Sequence, residues 1–414
     1  MNILVVSSKY PPEYAGSALR AHNTYKRLAK RFRLQVKVLA SSVSHNRSKS
    51  YEWEGVSVKL IANKWHRRFT LKESDTSGKR IAKRICNKLF SFRNYLFEAL
   101  PTFLYLIRNQ GWYDVIHIFG NVNVTSAAIS YAKITKKPII IELVNLVNNP
   151  YQYEPMLVSA LWGKGFPKQA LIVCISEKLK EVCHKYGYTD RDIWCRPNPI
   201  DENKFHFERN KRHLYRRKMT QFQDSDTLIL HLAKFMPRKN QLFLLDVMLF
   251  LPDSFKLFLA GPLVSSGPLF RRDRKYYETI LKTIQEKGLE SRVRVVAGFI
   301  ENPEEYIKAC DVFVLPSVRE ALGTPVLEAL ACGVPVVAND IPEVFDQWIK
   351  DGINGYVCEL EPEEWAKKIK QACKIDNSSL KQSSKDILDI ASTDKIDREY
   401  FRRLNILRSR GRQK

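Results

Sequence analysis

No apolar run in this chain is long enough to cross a bilayer as a helix, which argues against a transmembrane anchor. The opening Met1-Asn2-Ile3-Leu4-Val5-Val6 is too short for a signal-peptide core and meets Lys9 and Pro11 at once, so a cytoplasmic protein is expected. Cys-x-x-Cys pairs are missing too. The cysteines at 86, 174, 183, 195, 310, 332, 358 and 373 are scattered, which fits reduced thiols rather than a zinc site or a disulfide framework. There is no short-period repeat and no low-complexity tract, and a composition 44% hydrophobic and 27% charged excludes global disorder. Acid is in short supply: 44 Asp and Glu face 68 Lys and Arg, leaving a formal charge of +24. That surplus calls for an anionic partner, and nucleic acid, an anionic membrane surface and phosphorylated substrates all qualify. A chain of 414 residues has room for two ordinary domains.

What is present is densest between Asp311 and Ala338. Asp311-Val312-Phe313-Val314-Leu315 reads as a buried parallel strand. Thr324 is expected to cap the following helix, Pro325 suits its first turn, and Gly333 ends it. Val334-Pro335-Val336-Val337-Ala338 then starts the next strand. Glu320 is thus expected in the loop after a strand, and Glu328 in the first turn of a helix. In open α/β sheets that is the crevice where ligands bind. Each carboxylate can accept two hydrogen bonds, which suits a hydroxyl-rich ligand. Taken alone, the block also fits an ordinary strand–helix–strand with two solvated glutamates.

The pair Glu320 and Glu328 with Gly323 between them, followed by Cys332-Gly333-Val334-Pro335-Val336-Val337, closely resembles the signature of glycosyltransferase family 4. That resemblance implies a retaining, nucleotide-sugar-dependent enzyme of the GT-B fold: two Rossmann-like, doubly wound α/β domains facing each other across a cleft, with a C-terminal helix crossing back to the first.

Strand and helix patterns alternate along both halves, as a parallel sheet with helices on both faces requires. The first half reads as Ile3–Ser7, a helix over 17–32, Gln35–Leu39, Val115–Ile118, a helix near 124–133, Pro138–Leu143 and Leu171–Cys174. A polar, basic stretch over 201–223 interrupts the pattern. It restarts with Leu228–Leu232, Phe255–Ala260 and Val293–Ala297, and a turn is expected at Asn354-Gly355 and a helix over 363–373. The domains are expected at 1–200 (acceptor side), 201–390 (nucleotide-sugar side) and 391–414 (crossover helix and basic tail).

The loop ending Ala15-Gly16-Ser17 precedes a helix whose free N–H groups can face an anion. Gly16 resembles the family's first glycine loop, with Ala15 where the family often has another glycine. Lys234 and Lys239 follow a strand in the second domain and match the family's Arg-plus-Lys pair on the departing diphosphate, where fixed cations lower the barrier. The Lys234 exchange gives up bidentate geometry, which Arg238 is placed to restore. His117 resembles the family's strand-end histidine, with Phe119 where a second histidine is common. Glu142, Asn145 and Asn148 are candidates for lining the acceptor side. Asn198 and Asp201 match the family's hinge, with Pro199 for its glycine, and Gly261 and Gly298 match positions where the nucleotide nears the backbone. The resemblance assigns Glu320, Lys234, Lys239 and His117 to catalysis. It assigns Gly16, Glu328, Gly261, Gly298, Gly323, Thr324 and Asn198 to the donor. No metal and no cofactor are expected, since lysines on the diphosphate make a divalent ion unnecessary.

The basic surplus is concentrated in one place. Over 79–98, Ile81, Ile85, Leu89, Phe92 and Leu96 recur at helical spacing, with Arg80, Lys83, Arg84 and Lys88 on the other sides. Such a helix either lies on an anionic membrane surface or packs on its own domain with a solvated basic face. No nucleic-acid recognition module is present, so nucleic acid is not expected as a partner. The expected partners are a UDP- or GDP-sugar and a glycan or lipid-linked acceptor. A non-catalytic nucleotide-sugar binder of the same fold is the alternative.

Overall fold

The computed structural model describes residues 1–13, 16–42, 47–62, 76–144, 150–153, 161, 163–263 and 270–412. The chain divides into two compact units: Met1–Arg196 with Asp397–Lys414, and Pro197–Ile396. Expectation put the divisions at 200 and 390.

In the first unit the order is β1 (Asn2–Ser7), α1 (Gly16–Phe32), β2 (Gln35–Ser42), β3 (Lys49–Trp53), β4 (Val56–Ala62), α2 (Ser77–Arg108), β5 (Val115–Phe119), α3 (Asn123–Thr135), β6 (Ile139–Leu143), β7 (Ala170–Cys174), α4 (Glu177–Lys185) and β8 (Ile193–Cys195). The strands form one sheet in the order β3-β4-β2-β1-β5-β6-β7-β8. All neighbours are parallel except β3, which pairs antiparallel with β4. That hairpin was not expected. Its two-residue turn, Glu54-Gly55, has φ of +47° and +79°, and only its second residue is of a type that favours such angles. Strands β5, β6 and β7 are buried along their whole length, as near-continuous Val and Ile runs in a covered parallel sheet should be.

The second unit continues with α5 (Arg212–Met219), β9 (Thr227–Leu232), α6 (Gln241–Met248), β10 (Phe255–Gly261), α7 (Phe270–Glu286), β11 (Val293–Ala297), α8 (Pro303–Ala309), β12 (Val312–Leu315), α9 (Thr324–Ala331), β13 (Val336–Asn339), β14 (Gly355–Cys358), α10 (Pro362–Ala372) and α11 (Asn377–Ala391). Its six strands are all parallel in the order β11-β10-β9-β12-β13-β14. Successive crossovers therefore reverse direction between β9 and β12, and in the first unit between β1 and β5. At such points loops diverge and leave a crevice at the carboxyl ends of the strands. The last helix, α12 (Thr393–Arg412), returns the chain to the first unit at Asp397. There Arg27 Nε donates to Asp397 at 2.9 Å, and Phe32 stacks on Phe401 with ring centroids 4.3 Å apart.

Several local expectations need correction. The basic stretch over 201–223, expected only to interrupt the pattern, carries a helix of its own, α5, whose Arg216 is buried and donates to Asp311 at 2.6 Å. Thr324 does not cap α9. Gly323 is the N-cap, and no side chain bonds there. Glu328 falls in the second turn of α9, β13 starts only at Val336, and Gly355 begins β14 rather than completing a turn. Gly333 does end α9, with φ +69° and its N–H donating to the Leu330 carbonyl at 2.9 Å.

Candidate active site

The loops after β9 and β12 meet where the second sheet parts. The Val318 amide donates to the Arg238 carbonyl at 3.0 Å, and Arg238 Nη1 donates to the Arg319 carbonyl at 2.8 Å. Asn339 Nδ2, at the end of β13, donates to the Ser317 carbonyl at 3.0 Å. These bonds hold Glu320 against the turn Pro237–Lys239, where Lys239 Nζ forms an ion pair with Glu320 Oε1. Arg238 Nη1 lies 3.8 Å from the other carboxylate oxygen. The side chains of Lys239 and Glu320 are only 12% and 9% exposed, so this pair sits in surroundings where a charge acts strongly.

Gly323 turns the chain from Glu320 into α9 at φ +70°, and a Cβ there would lie 2.4 Å from the Phe345 ring. Thr324 Oγ1 accepts from Asn198 Nδ2 at 2.8 Å, which joins these two expected site residues. Glu328 is half-buried one turn further on. Burial, and secondarily the Glu304 carboxylate, push its pKa up to about 7.

Lys234 has a carboxylate partner of its own. Its Nζ lies 2.9 Å from Oδ2 of Asp273, a fully buried carboxylate in the first turn of α7. Arg272 donates to the other oxygen at 2.6 and 2.9 Å, so two cations share one carboxylate and a net positive charge remains. Gly261 is a glycine for a reason internal to the sheet: a Cβ would lie 2.0 Å from the Ala233 carbonyl oxygen. The Gly298 amide donates to the Gly261 carbonyl at 2.9 Å, and a Cβ at Gly298 would meet nothing within 4 Å.

Sequence reasoning missed His231. It is fully buried in β9, and its Nδ1–H donates to the Val314 carbonyl at 2.9 Å. Backbone pairing between β9 and β12 runs only from Ile229 to Leu230, so the ring ties the strands just beyond their last paired residues. Burial, opposed by the bond to Val314, lowers its pKa to about 4 and keeps it neutral. The usable signal was one polar residue inside Leu228-Ile229-Leu230-His231-Leu232.

In the first unit Gly16 opens α1 and is exposed, while Ala15 lies outside the described residues. His117 lies on β5, fully buried. Its Nδ1 bonds the Tyr25 hydroxyl at 2.6 Å and its Nε2 is 3.5 Å from Glu142 Oε1. Glu142 accepts from Arg196 Nη2 at 2.6 Å and from the Tyr400 hydroxyl. Although burial raises its pKa, Arg196 and then His117 hold it well below the usual carboxylate range. Glu142 is thus the anion of a buried network rather than a lining residue, and Asn145 and Asn148 lie outside the described residues.

Two Asp-x-Asp pairs went unremarked in the sequence and are held locally. Asp190 pairs with Lys180 and His184, and Asp192 accepts from the Thr189 amide. Asp224 pairs with Arg217, and Asp226 accepts from the Gln223 amide.

Residues 215–386, which contain Lys234, Lys239, Glu320 and Glu328, match the model of the Glycosyl transferases group 1 family. The chain carries a group 1 glycosyl transferase domain. His117, Gly16 and Asn198 lie outside the matched span of that domain. Among curated relatives, the capsular polysaccharide biosynthesis glycosyltransferase CapH of Staphylococcus aureus is 30% identical over 152 residues, 36% of this chain and 41% of the relative. The UDP-Gal:alpha-D-GlcNAc-diphosphoundecaprenol alpha-1,3-galactosyltransferase of Escherichia coli is 25% identical over 268 residues, 62% of this chain and 65% of the relative. The chain thus spans from 41% to 65% of these relatives' own length. HepE of Anabaena in complex with UDP aligns over 98% of this chain and 100% of its own, with a TM-score of 0.72 at 16% identity. That likeness fixes the fold around the group 1 domain as GT-B.

Proposed function

We propose that the protein is a retaining glycosyltransferase that moves a hexose-type sugar from a UDP- or GDP-sugar to an acceptor hydroxyl. The acceptor is a lipid-linked glycan in cell-surface polysaccharide biosynthesis, and the enzyme works in the cytoplasm at the inner face of the membrane. The observation that carries this reading is the Lys239–Glu320 ion pair at the parting of β9 and β12, within the group 1 domain. Relatives whose names specify nucleotide-sugar and polysaccharide chemistry support it.

In this reading Glu320 accepts hydrogen bonds from the donor sugar, and Glu328 from the ribose. Lys239, with Arg238 beside it, takes the charge that builds on the diphosphate as the bond from the anomeric carbon to the phosphate oxygen breaks. Lys234, sharing Asp273 with Arg272, contributes a weaker positive field. Gly16, Gly261, Gly298 and Gly323 let the donor approach the backbone, and Asn198 holds Thr324. His117 acts from the acceptor side by holding the shape of β5. The acceptor oxygen bonds the anomeric carbon on the face the phosphate leaves, and its proton passes to that phosphate. No carboxylate needs to serve as a nucleophile.

The test is turnover of UDP-, GDP- and ADP-hexoses with a diphosphopolyprenol-linked sugar as acceptor. Wild type should transfer with retention, and Glu320→Ala should lower kcat by about 10²- to 10³-fold while leaving the thermal midpoint near wild type. Transfer intact in Glu320→Ala would overturn the assignment. Stabilisation by a donor without turnover would establish instead a non-catalytic nucleotide-sugar binder.

A further inference from the structure

A cavity of about 310 Å³ opens at the opposite end of the first sheet from its crevice. Its lining includes Ala170, which begins β7, and Asp192, which immediately precedes β8. It therefore sits at the amino ends of those strands, whereas the crevice lies at the carboxyl ends. The five residues of β7, roughly 16 Å of extended chain, separate the two ends. A ligand of the cavity is not a ligand of the crevice.

The walls are aromatic and held in place. Tyr151, Phe166, Tyr186 and Tyr188 line the cavity, and Tyr151 meets Tyr186 edge to face with ring centroids 4.6 Å apart. The Phe166 amide donates to the Tyr188 hydroxyl at 2.6 Å. Gly165 has φ +90°, and a Cβ there would stand 2.5 Å from that hydroxyl, so a larger residue would push Tyr188 off the loop. Lys133 of α3 fixes the same loop by donating to the Gly163 and Gly165 carbonyls at 2.9 and 2.5 Å.

The rim is basic. Lys164 and Lys168 line the cavity and are exposed, and among the described residues neither has a bonding or ion-pair partner. The one acid in the lining, Asp192, already accepts from the Thr189 amide and hydroxyl, each at 2.9 Å. A tyrosine ring offers an apolar face with a polar tip. That matches a pyranose, whose C–H face is apolar and whose edge carries hydroxyls. Two uncommitted ammonium groups beside the rings call for an anionic group on that sugar. An acyl chain has no use for the lysines, and a stable protein partner needs roughly 800 Å² of surface on each side rather than one cavity.

We propose that this cavity is a non-catalytic subsite for an anionic pyranose unit of a glycan, with the sugar against Tyr151 and Tyr186 and its carboxylate or phosphate on Lys164 and Lys168. That the glycan is the enzyme's own acceptor or product rests on the function proposed above. The cavity's preference for an anionic sugar does not.

Isothermal titration of the full-length protein tests it with tetragalacturonate, glucose 6-phosphate, neutral maltotetraose and UMP. Wild type should bind at least one of the two anionic sugars, and maltotetraose at least about tenfold more weakly. Which anionic sugar binds identifies the anion the cavity takes. Tyr151→Ala with Tyr186→Ala should weaken that binding at least about tenfold, while Tyr151→Phe with Tyr186→Phe should keep most of it. Lys164→Ala with Lys168→Ala should erase the preference for the anionic sugar and the salt dependence of its binding. Circular dichroism of every variant should match wild type. The proposal is overturned if wild type binds neither anionic sugar, if it binds maltotetraose equally well, or if the alanine variants bind like wild type. UMP that displaces the sugar, and that the tyrosine-to-alanine variant no longer binds, would also overturn it by assigning the cavity to a nucleotide. Sugar binding here without any transfer would sink only the catalytic reading.

Discussion

Both units set charged side chains toward the carboxyl ends of their parallel strands, and the two sets meet opposite fates. In the first, the His117, Glu142, Arg196 and Tyr400 side chains are buried and bonded to one another, with aromatic rings around them. In the second, Lys239 and Glu320 keep a small exposed fraction and are held mainly by backbone bonds between loops. The difference lies in what each carboxylate is given. Glu142 has an arginine and a tyrosine bonded to the same oxygen, Oε1, inside the core, an arrangement that holds structure. Glu320 has a lysine on one oxygen and an arginine 3.8 Å from the other, an arrangement that a hydroxyl-rich ligand can enter. A charge at a strand end is therefore weak evidence of a site until its partners are known.

The sharpest way to break this contrast is Arg196→Met. It leaves the Glu142 charge buried without its bonded arginine, which should cost about 3–5 kcal/mol of unfolding free energy in a denaturant titration. Donor KM should stay unchanged in the fraction that folds. A donor KM that moved instead would mean that the buried network is part of the site. Gly323→Ala comes next, because it adds a Cβ at φ +70° against the Phe345 ring. A loss of about 1–3 kcal/mol is expected, partly recovered by adding Phe345→Leu. The smallest effect concerns Glu328. Its pKa in the folded chain, about 7, lies above its ordinary 4.5, so the folded state holds the proton more tightly. Stability from this group is complete below pH 4.5 and is lost as pH rises through about 7. Glu328→Gln should flatten that part of the thermal midpoint's pH profile, and an unchanged slope would mean that the carboxyl is solvated.

The alternation of strands and helices was legible because buried parallel strands read as short Val, Ile and Leu runs; β5, β6, β9 and β12 lie within two residues of expectation. The hairpin of β3 and β4 was not legible, because its turn carries Glu54 where Asn or Asp would have marked it. Within the candidate site, the meeting of Glu320 with Lys239 follows from strand order, and both residues stood out in the sequence. The pairing of Lys234 with Asp273 did not, since nothing in a one-dimensional pattern brings residues thirty-nine positions apart together. Helix α2 shows the same limit in another form. Its periodicity was plain, but periodicity does not say which face meets the protein, and Glu98 rather than Leu96 turned out to be inside.

Tyr400, which donates to Glu142, lies on α12, and the whole of the second unit comes before it in the chain. A ribosome therefore releases the first unit's sheet long before that hydroxyl exists. Until α12 emerges, Glu142 and Arg196 have each other but not the Tyr400 hydroxyl, and the stacking surface of Phe32 lacks Phe401. The first unit reaches its final packing only once α12 has emerged, and a polypeptide that stops short of Tyr400 lacks those contacts.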